Sequence, residues 1–306
     1  MIKVLVSLTM AALLCTAASL ATAQQAFKTP DEAASALVSA TKTDDRKAIV
    51  TVLGPDGNDI VSSGDEVADA TTRQKFIAAY DAKHQIVVEG DDKAIVVIGQ
   101  DDYPLPIPLV RKDGTWRFDT SAGREEILAR RIGKNELDAI QSCLAYVDAQ
   151  NDYAAKDRTG TGANTYAQRI VSQPGKKDGL YWPTSQGEDP SPLGELIAEA
   201  TAQGYRVGGG RAPFHGYYFK VLTKQGAAAP GGELEYVVHG KMIGGFALVA
   251  YPAVYRNSGV MTFIVSHGGT VFQKDLGPDT TRLAERMDSF NSDKTWQKVP
   301  DAEPVR

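Results

Sequence analysis

The chain has 306 residues, 42% of them hydrophobic and 23% charged, with 33 basic against 38 acidic side chains and a net charge of −5. That length accommodates two domains of ordinary size with sizeable cores, and the composition excludes disordered, collagen-like and disulfide-dense scaffolds. No basic block is longer than a pair, which argues against nucleic acid or an anionic membrane surface as a partner.

Residues 1–23 read as a secretory signal peptide. Lys3 supplies a positive start, residues 4–20 an apolar run, and Ala21-Thr22-Ala23 an A-x-A cleavage site before Gln24. The expected location is therefore periplasmic or secreted, after cleavage between Ala23 and Gln24. Leu14 before Cys15 is too large for a lipoprotein site. Removing Lys3 with the leader leaves 32 basic residues against 38 acidic ones, a net of about −6, and Cys143 as the single cysteine. No internal disulfide can form, and Cys143, on an expected helix, reads as a small buried apolar side chain. No segment beyond the leader is long and apolar enough to span a bilayer.

The first block is expected over 24–120. Thr29-Pro30-Asp31-Glu32 is a helix start with a cap, a first-turn proline and a capping-box glutamate, and Ala33, Ala36, Leu37 and Ala40 mark its buried stripe. A second helix is expected over 44–53, stopped by Gly54-Pro55. A third begins near Thr71 and buries Phe76, Ile77 and Tyr80. The period then changes to two, giving strands at 85–89, 94–99, 107–110 and 115–118, with turns at Gly90-Asp91-Asp92 and Asp113-Gly114. Pro104, Pro106 and Pro108 cannot donate to a ladder, so their strand should lie at an edge or carry a bulge. Ser62 and Ser63 lack a nucleophile-elbow context and read as a turn or cap.

A central helical stretch, 121–157, joins this block to a second one spanning 134–306. Leu137, Ile140, Leu144 and Val147 form its apolar stripe. Gly133-Lys134-Asn135 reads as a break, with Asn135 as a new N-cap. The run 157–164 reads as a turn and not a calcium loop, because only Asp157 fits the ligand spacing. Residues 166–171 add a helical turn or two, 176–193 form a loop anchored by Tyr181 and Trp182, and 193–203 form a helix closed by Gly204. Strands follow at 217–223, 234–238, 246–250, 260–266 and 270–274, with a hairpin at Gly268-Gly269. A last helix over 279–290 and a tail with a docked Trp296 close the chain.

The expected fold class is therefore α+β: helices plus an antiparallel meander, then a long central helix on a second antiparallel sheet. The order of the first block, ending in the G-x-W-x-F strand at Gly114, resembles the cone-shaped nuclear-transport-factor-two-like class, many of whose members hold a pocket between helices and sheet. The second block, with Tyr146 and Tyr153 on its helix, Gly204-Tyr205 and the Gly268-Gly269 hairpin, resembles the soluble domain of type IV pilins and pseudopilins. It departs from them in having a polar first block where pilins carry an apolar membrane helix. Over nearly all of the mature chain, TPDEAASALVSA, VLGPDGNDIVSSGDEVAD, PLPIPLVRKDGTWRFDTSAGREEILARRIGKNELDAIQ, DGLYWP, FHGYYFKVLTKQG, MIGGFALVAYPAVY and SGVMTFIVSHGGTVFQKDLG resemble Domain of Unknown Function family 2950. The resemblance implies an exported bacterial protein and brings no catalytic residues with it.

No triad, kinase, Rossmann or nuclease pattern is present. His215, His239 and His267 are far apart in sequence, each beside a glycine, and do not make a zinc set, so no metal and no cofactor is expected. Gly208-Gly209-Gly210 lacks a following helix and is not a phosphate loop. Glu126 and Arg130 are spaced for a helix-surface ion pair. The candidate binding residues are Arg130 and Arg131, for an acidic group in a cleft between the blocks; Tyr181 and Trp182, for an apolar contact; and His215, walled by Phe214, Tyr217 and Tyr218. These features favour a non-enzymatic binding or envelope-assembly protein, with an envelope protein as candidate partner. The alternative is an envelope hydrolase or small-ligand binder using a pocket in the first block or the cleft between blocks.

Overall fold

A computed structural model describes residues 24–158, 160, 162–206 and 212–300. The leader over 1–23, the Gly208-Gly209-Gly210 run and the tail beyond Pro300 lie outside the described residues. The protein is mixed α+β, with seven α-helices and several mainly antiparallel sheets among those residues.

Helix α1, Pro30–Lys42, starts as its sequence dictates. The Thr29 hydroxyl accepts the Glu32 N–H at 3.1 Å, and the Glu32 carboxylate accepts the Lys28 N–H at 2.9 Å. Helix α2, Arg46–Leu53, is capped by Asp45 and not Asp44, which turns to a φ of +53° just ahead of it. The short α3, Asn58–Val61, leads to α4, Glu66–Ala82. That helix begins before the expected Thr71, because the Asp65 carboxylate accepts the Ala68 N–H at 3.0 Å and caps it.

The first sheet runs His84–Glu89, Lys93–Ile98, Leu109–Lys112, Thr115–Phe118, all antiparallel, with Tyr103–Pro104 added beside Lys93–Ile98. The prolines sit at both an edge and a bulge. Tyr103–Pro104 pairs only with Lys93–Ile98, and between Leu105, whose N–H donates to the Val96 carbonyl at 2.8 Å, and Leu109, which pairs with Ala94, the chain over 106–108 leaves the ladder and rejoins it. The bulge brings the Pro106 carbonyl against Gly123, on the helix that follows the sheet, where a β-carbon would overlap it.

Helix α5, Thr120–Ala154, is one uninterrupted helix of 35 residues. The expected break at Gly133-Lys134-Asn135 is absent. Lys134 pairs with Asp138 one turn on at 2.5 Å, and Asn135, instead of capping, donates from Nδ2 to the Ser258 carbonyl at 2.9 Å. Leu137, expected on the buried stripe, is 65% exposed, while Ile140, Leu144 and Val147 are buried as their spacing requires.

The C-terminal half of α5 lies on a second antiparallel sheet ordered Gln297–Lys298, Val271–Asp275, Met261–Ser266, Ala247–Pro252, Tyr217–Leu222. Every residue of Ala247–Pro252 is buried, as suits a central strand covered on both faces. Helix α6, Gly194–Ala202, ends at Gly204 with φ +100°. Helix α7, Thr280–Arg286, is shorter than expected, because Ser289–Phe290 turns into a strand pairing in parallel with Lys224–Gln225. Residues expected to extend a helical turn form Arg169–Val171 instead, a strand parallel to Gly179–Tyr181. Two separate hydrophobic clusters result. One runs from Phe27 to Phe118, and the other from Ala139 to Val299 with Cys143 fully enclosed. Burial pushes the Cys143 thiol up to about 12, so it stays protonated and unreactive at neutral pH.

Candidate functional site

The first unit is hollow. A cavity of about 1070 Å³ opens between α4, the first sheet and the N-terminal half of α5, at the upper end of what small-molecule sites occupy. Its floor is apolar: Leu37, Ile49, Leu53, Ile98, Ile107 and Phe118 line it and are each at most 9% exposed. One wall is α4, which contributes Val67, Ala68, Asp69 and every residue from Thr71 to Phe76. Of that 17-residue helix only Tyr80 is buried. The bulge supplies Leu105, Pro106 and Ile107 to the opposite wall. The rim is polar, with Tyr103, Arg130 and Lys134, and the second unit reaches it through Gln203, Tyr205 and His215.

A seam of hydrogen bonds fixes the second unit at that rim. The Arg131 guanidinium donates to the carbonyls of Asp59 at 2.7 Å and Ile60 at 2.6 Å, at the end of α3, and to Asn257 Oδ1 at 2.5 Å. Asn257 Nδ2 returns a bond to the Ser62 carbonyl at 2.8 Å. Burial lowers the Arg131 pKa, yet the carbonyls around it hold the cation in place. Asp65, 1% exposed, accepts the Tyr205 hydroxyl at 2.9 Å and the Gly216 N–H at 2.8 Å while still capping α4. Glu136 accepts the N–H groups of Val260 and Met261 at 2.9 and 3.0 Å. Gly216, at φ +74°, sits so close to Asn135 and Ser258 that a β-carbon would overlap them.

His215 lies on the seam in an unusual backbone region, φ +49°. Its Nδ1 is 3.2 Å from the Asp138 carboxylate, its N–H donates to the Tyr205 hydroxyl, and the Tyr205 and Phe214 rings flank it. Burial lowers its pKa below the ordinary 6.5, and Asp138 offsets only part of that. Burial likewise raises the Tyr205 hydroxyl, so it remains a donor at neutral pH.

The structure brings Arg130, Arg131 and His215 to one cavity rim. Arg130 is an exposed rim residue that pairs with Glu126, as their spacing requires, and reaches the Tyr103 hydroxyl and ring. Arg131 is bound within the seam. Tyr181 and Trp182 lie elsewhere, in the second core. Trp182 is 4% exposed, packed against Tyr153 and the Arg158 guanidinium, and is not a surface anchor. His239 and His267 are exposed and distant from the cavity lining. Ser63 forms the expected turn, its hydroxyl accepting the Asp65 N–H. Among the described residues no group of three or more His, Cys, Asp and Glu side chains could hold a metal ion, and no helix is long and apolar enough to cross a membrane.

Sequence reading missed the α4 face, Asp65, Tyr103, Lys134 and Tyr205. The third helix is expected only from near Thr71, and nothing in one sequence separates water outside a protein from space inside it. The position of Asp65 ahead of Glu66 and Ala68 carried a cap signal that would have started the helix earlier.

Fold and site together define an α+β protein with one hollow unit and one solid one, joined by a long helix. A model of the family described as "Protein of unknown function (DUF2950)" matches residues 24–299, and the chain belongs to that family. No curated protein and no solved structure matches it, so neither the transport-factor likeness nor the pilin likeness of the second block carries an argument.

Proposed function

We propose that this is an exported binding protein whose first unit encloses an apolar small molecule. The observation that carries the reading is α4: a 17-residue helix with one buried residue, which lines a cavity along most of its length while only Phe76, Ala79 and Tyr80 pack on the core. Close-packed interiors leave few voids larger than a water molecule, so a space this large with an apolar floor has the character of a binding site. Export is supported by the leader pattern over 1–23 and by a family match that begins at residue 24, just past the cleavage site. Gln24 is tied into the first unit, its side-chain amide donating to the carbonyls of Val52, Leu53 and Phe118 at 3.2, 3.0 and 2.8 Å.

The test is fluorescence titration of the mature chain, residues 24–306, with the neutral dye Nile red. Saturable binding that Thr71→Trp abolishes, with an unchanged far-ultraviolet spectrum, is the expected result. Dye that fails to saturate, or binds the filled variant equally, contradicts the reading.

A further inference from the structure

The cavity lining carries five cationic side chains, Arg73, Lys75, Arg130, Arg131 and Lys134, against one carboxylate, Asp69, in a chain whose net charge is −5. Cations therefore outnumber carboxylates within the lining itself, although Arg73 is paired at 2.8 Å with Asp44, which lies outside it. Asp69 is engaged, both its oxygens accepting the Ser63 N–H at 3.2 and 2.9 Å. Arg131 is held by the seam. Arg130 and Lys134 differ: they stand one helical turn apart on the rim, with the Tyr103 hydroxyl beside Arg130. Their partners Glu126 and Asp138 lie on the same helix outside the lining, and all but Asp138 have side chains at least half exposed. Exposed pairs of this kind hold each other weakly, and an incoming anion competes with them readily. Lys75, on α4, has no ion pair among the described residues.

We propose, resting on the ligand-binding reading of the cavity, that its ligand is an amphipathic anion: one alkyl chain with a single acidic head. The chain lies along Ile98, Ile107, Phe118, Leu53, Ile49 and Leu37, and the head sits at the rim between Arg130 and Lys134, where Tyr103 donates to it. An apolar floor alone accepts any hydrophobe; the cationic rim selects those ending in an acid, because an anion there exchanges the exposed Arg130–Glu126 pair, and the Lys134 side of the Lys134–Asp138 pair, for a charge-assisted contact with both cations.

The experiment compares dodecanoate with dodecanol, the same chain carrying no charge, by calorimetric titration of the mature chain below the aggregation limit of either ligand. Dodecanoate should bind at least about ten-fold more tightly, and its advantage should shrink with added salt. In an Arg130→Gln/Lys134→Gln double variant that melts like the wild type, the gap should close through weaker dodecanoate binding. Equal affinities in the wild type, or a gap that survives in the double variant, overturn the anion preference and leave the cavity reading standing. If neither alkyl ligand binds while Nile red does, the alkyl-anion ligand is again overturned alone. If Nile red also fails, the cavity reading falls with it.

Discussion

The two units use the same materials, helices laid on an antiparallel sheet, and fill the space between them differently. Against the second sheet, α5 buries Ala139, Ile140, Cys143, Leu144, Tyr146, Val147, Ala149 and Tyr153. Against the first, α4 buries only Tyr80. The side chains explain the difference. The side of α4 that lines the cavity carries Val67, Ala68, Thr71, Thr72 and Lys75 with Phe76 as its one large apolar ring, while α5 presents tyrosines and branched aliphatics that meet Phe246, Leu248 and Phe263. The hollow unit keeps a core of its own, from Phe27 to Phe118, and is tied to the solid one by the seam. Arg131, Asn257, Asp65 and Glu136 tie the cavity rim to the rigid sheet.

The comparison breaks most severely at a core aromatic of the solid unit. Phe263→Ala, at a site with no exposure, should cost about 3–5 kcal/mol. Phe76→Ala on the cavity wall should cost clearly less, because part of that ring already faces open space. Urea denaturation of both variants measures the contrast, and equal losses would mean that the first unit is as well packed as the second.

Cutting the seam comes next. Asp65→Ala removes the α4 cap and leaves the Tyr205 hydroxyl and Gly216 N–H without their acceptor, for a loss of about 1–3 kcal/mol. Asp65→Asn keeps an oxygen for the cap and should lose less. A smaller effect of opposite sign comes from filling the cavity: Thr71→Leu should add about 0.5–2 kcal/mol of stability and weaken Nile red binding. A variant that is destabilised would show that the space is not available to a side chain.

The smallest effect is the pH response of His215. Its folded pKa lies below the unfolded 6.5, burial being the larger cause and Asp138 the partial offset, with Lys134, Asp65 and Glu199 acting more weakly. The unfolded chain therefore takes up the proton first as the pH falls. Stability contributed at this site is intact above about pH 6.5 and declines below it, until the folded imidazole also protonates. Melting temperature followed from neutral to mildly acidic pH should show this decline flattened in His215→Gln relative to the wild type.

Much of the fold was legible in the sequence because local rules agreed with tertiary ones. The capping box at Thr29, the turns at Gly90 and Asp113, and most of the expected strands formed where residue type and spacing placed them; the strand expected at 234–238 is instead split, Leu234–Glu235 pairing with Lys224–Gln225 and Val237–Val238 with Lys241–Met242. The unbroken α5 was not legible. Asn135 is a good cap in isolation, and only the arrival of Ser258, distant in sequence, gives its amide a better partner. Of the rim, the adjacent Arg130 and Arg131 and the neighbour Phe214 of His215 were legible; the other walls expected for His215 were not, since Tyr217 packs on Phe263, Tyr218 on Tyr251, and Tyr205 flanks the imidazole instead. The cavity was not legible, because a helix face lined with small and polar residues looks the same in sequence whether it meets water or a hollow.

The most direct test of the hollow unit is amide hydrogen exchange of the mature chain with and without saturating Nile red. Slower exchange concentrated in α4, with the strand Ala247–Pro252 unchanged, is the result predicted here. Protection confined to the second unit, or none anywhere despite bound dye, would contradict it.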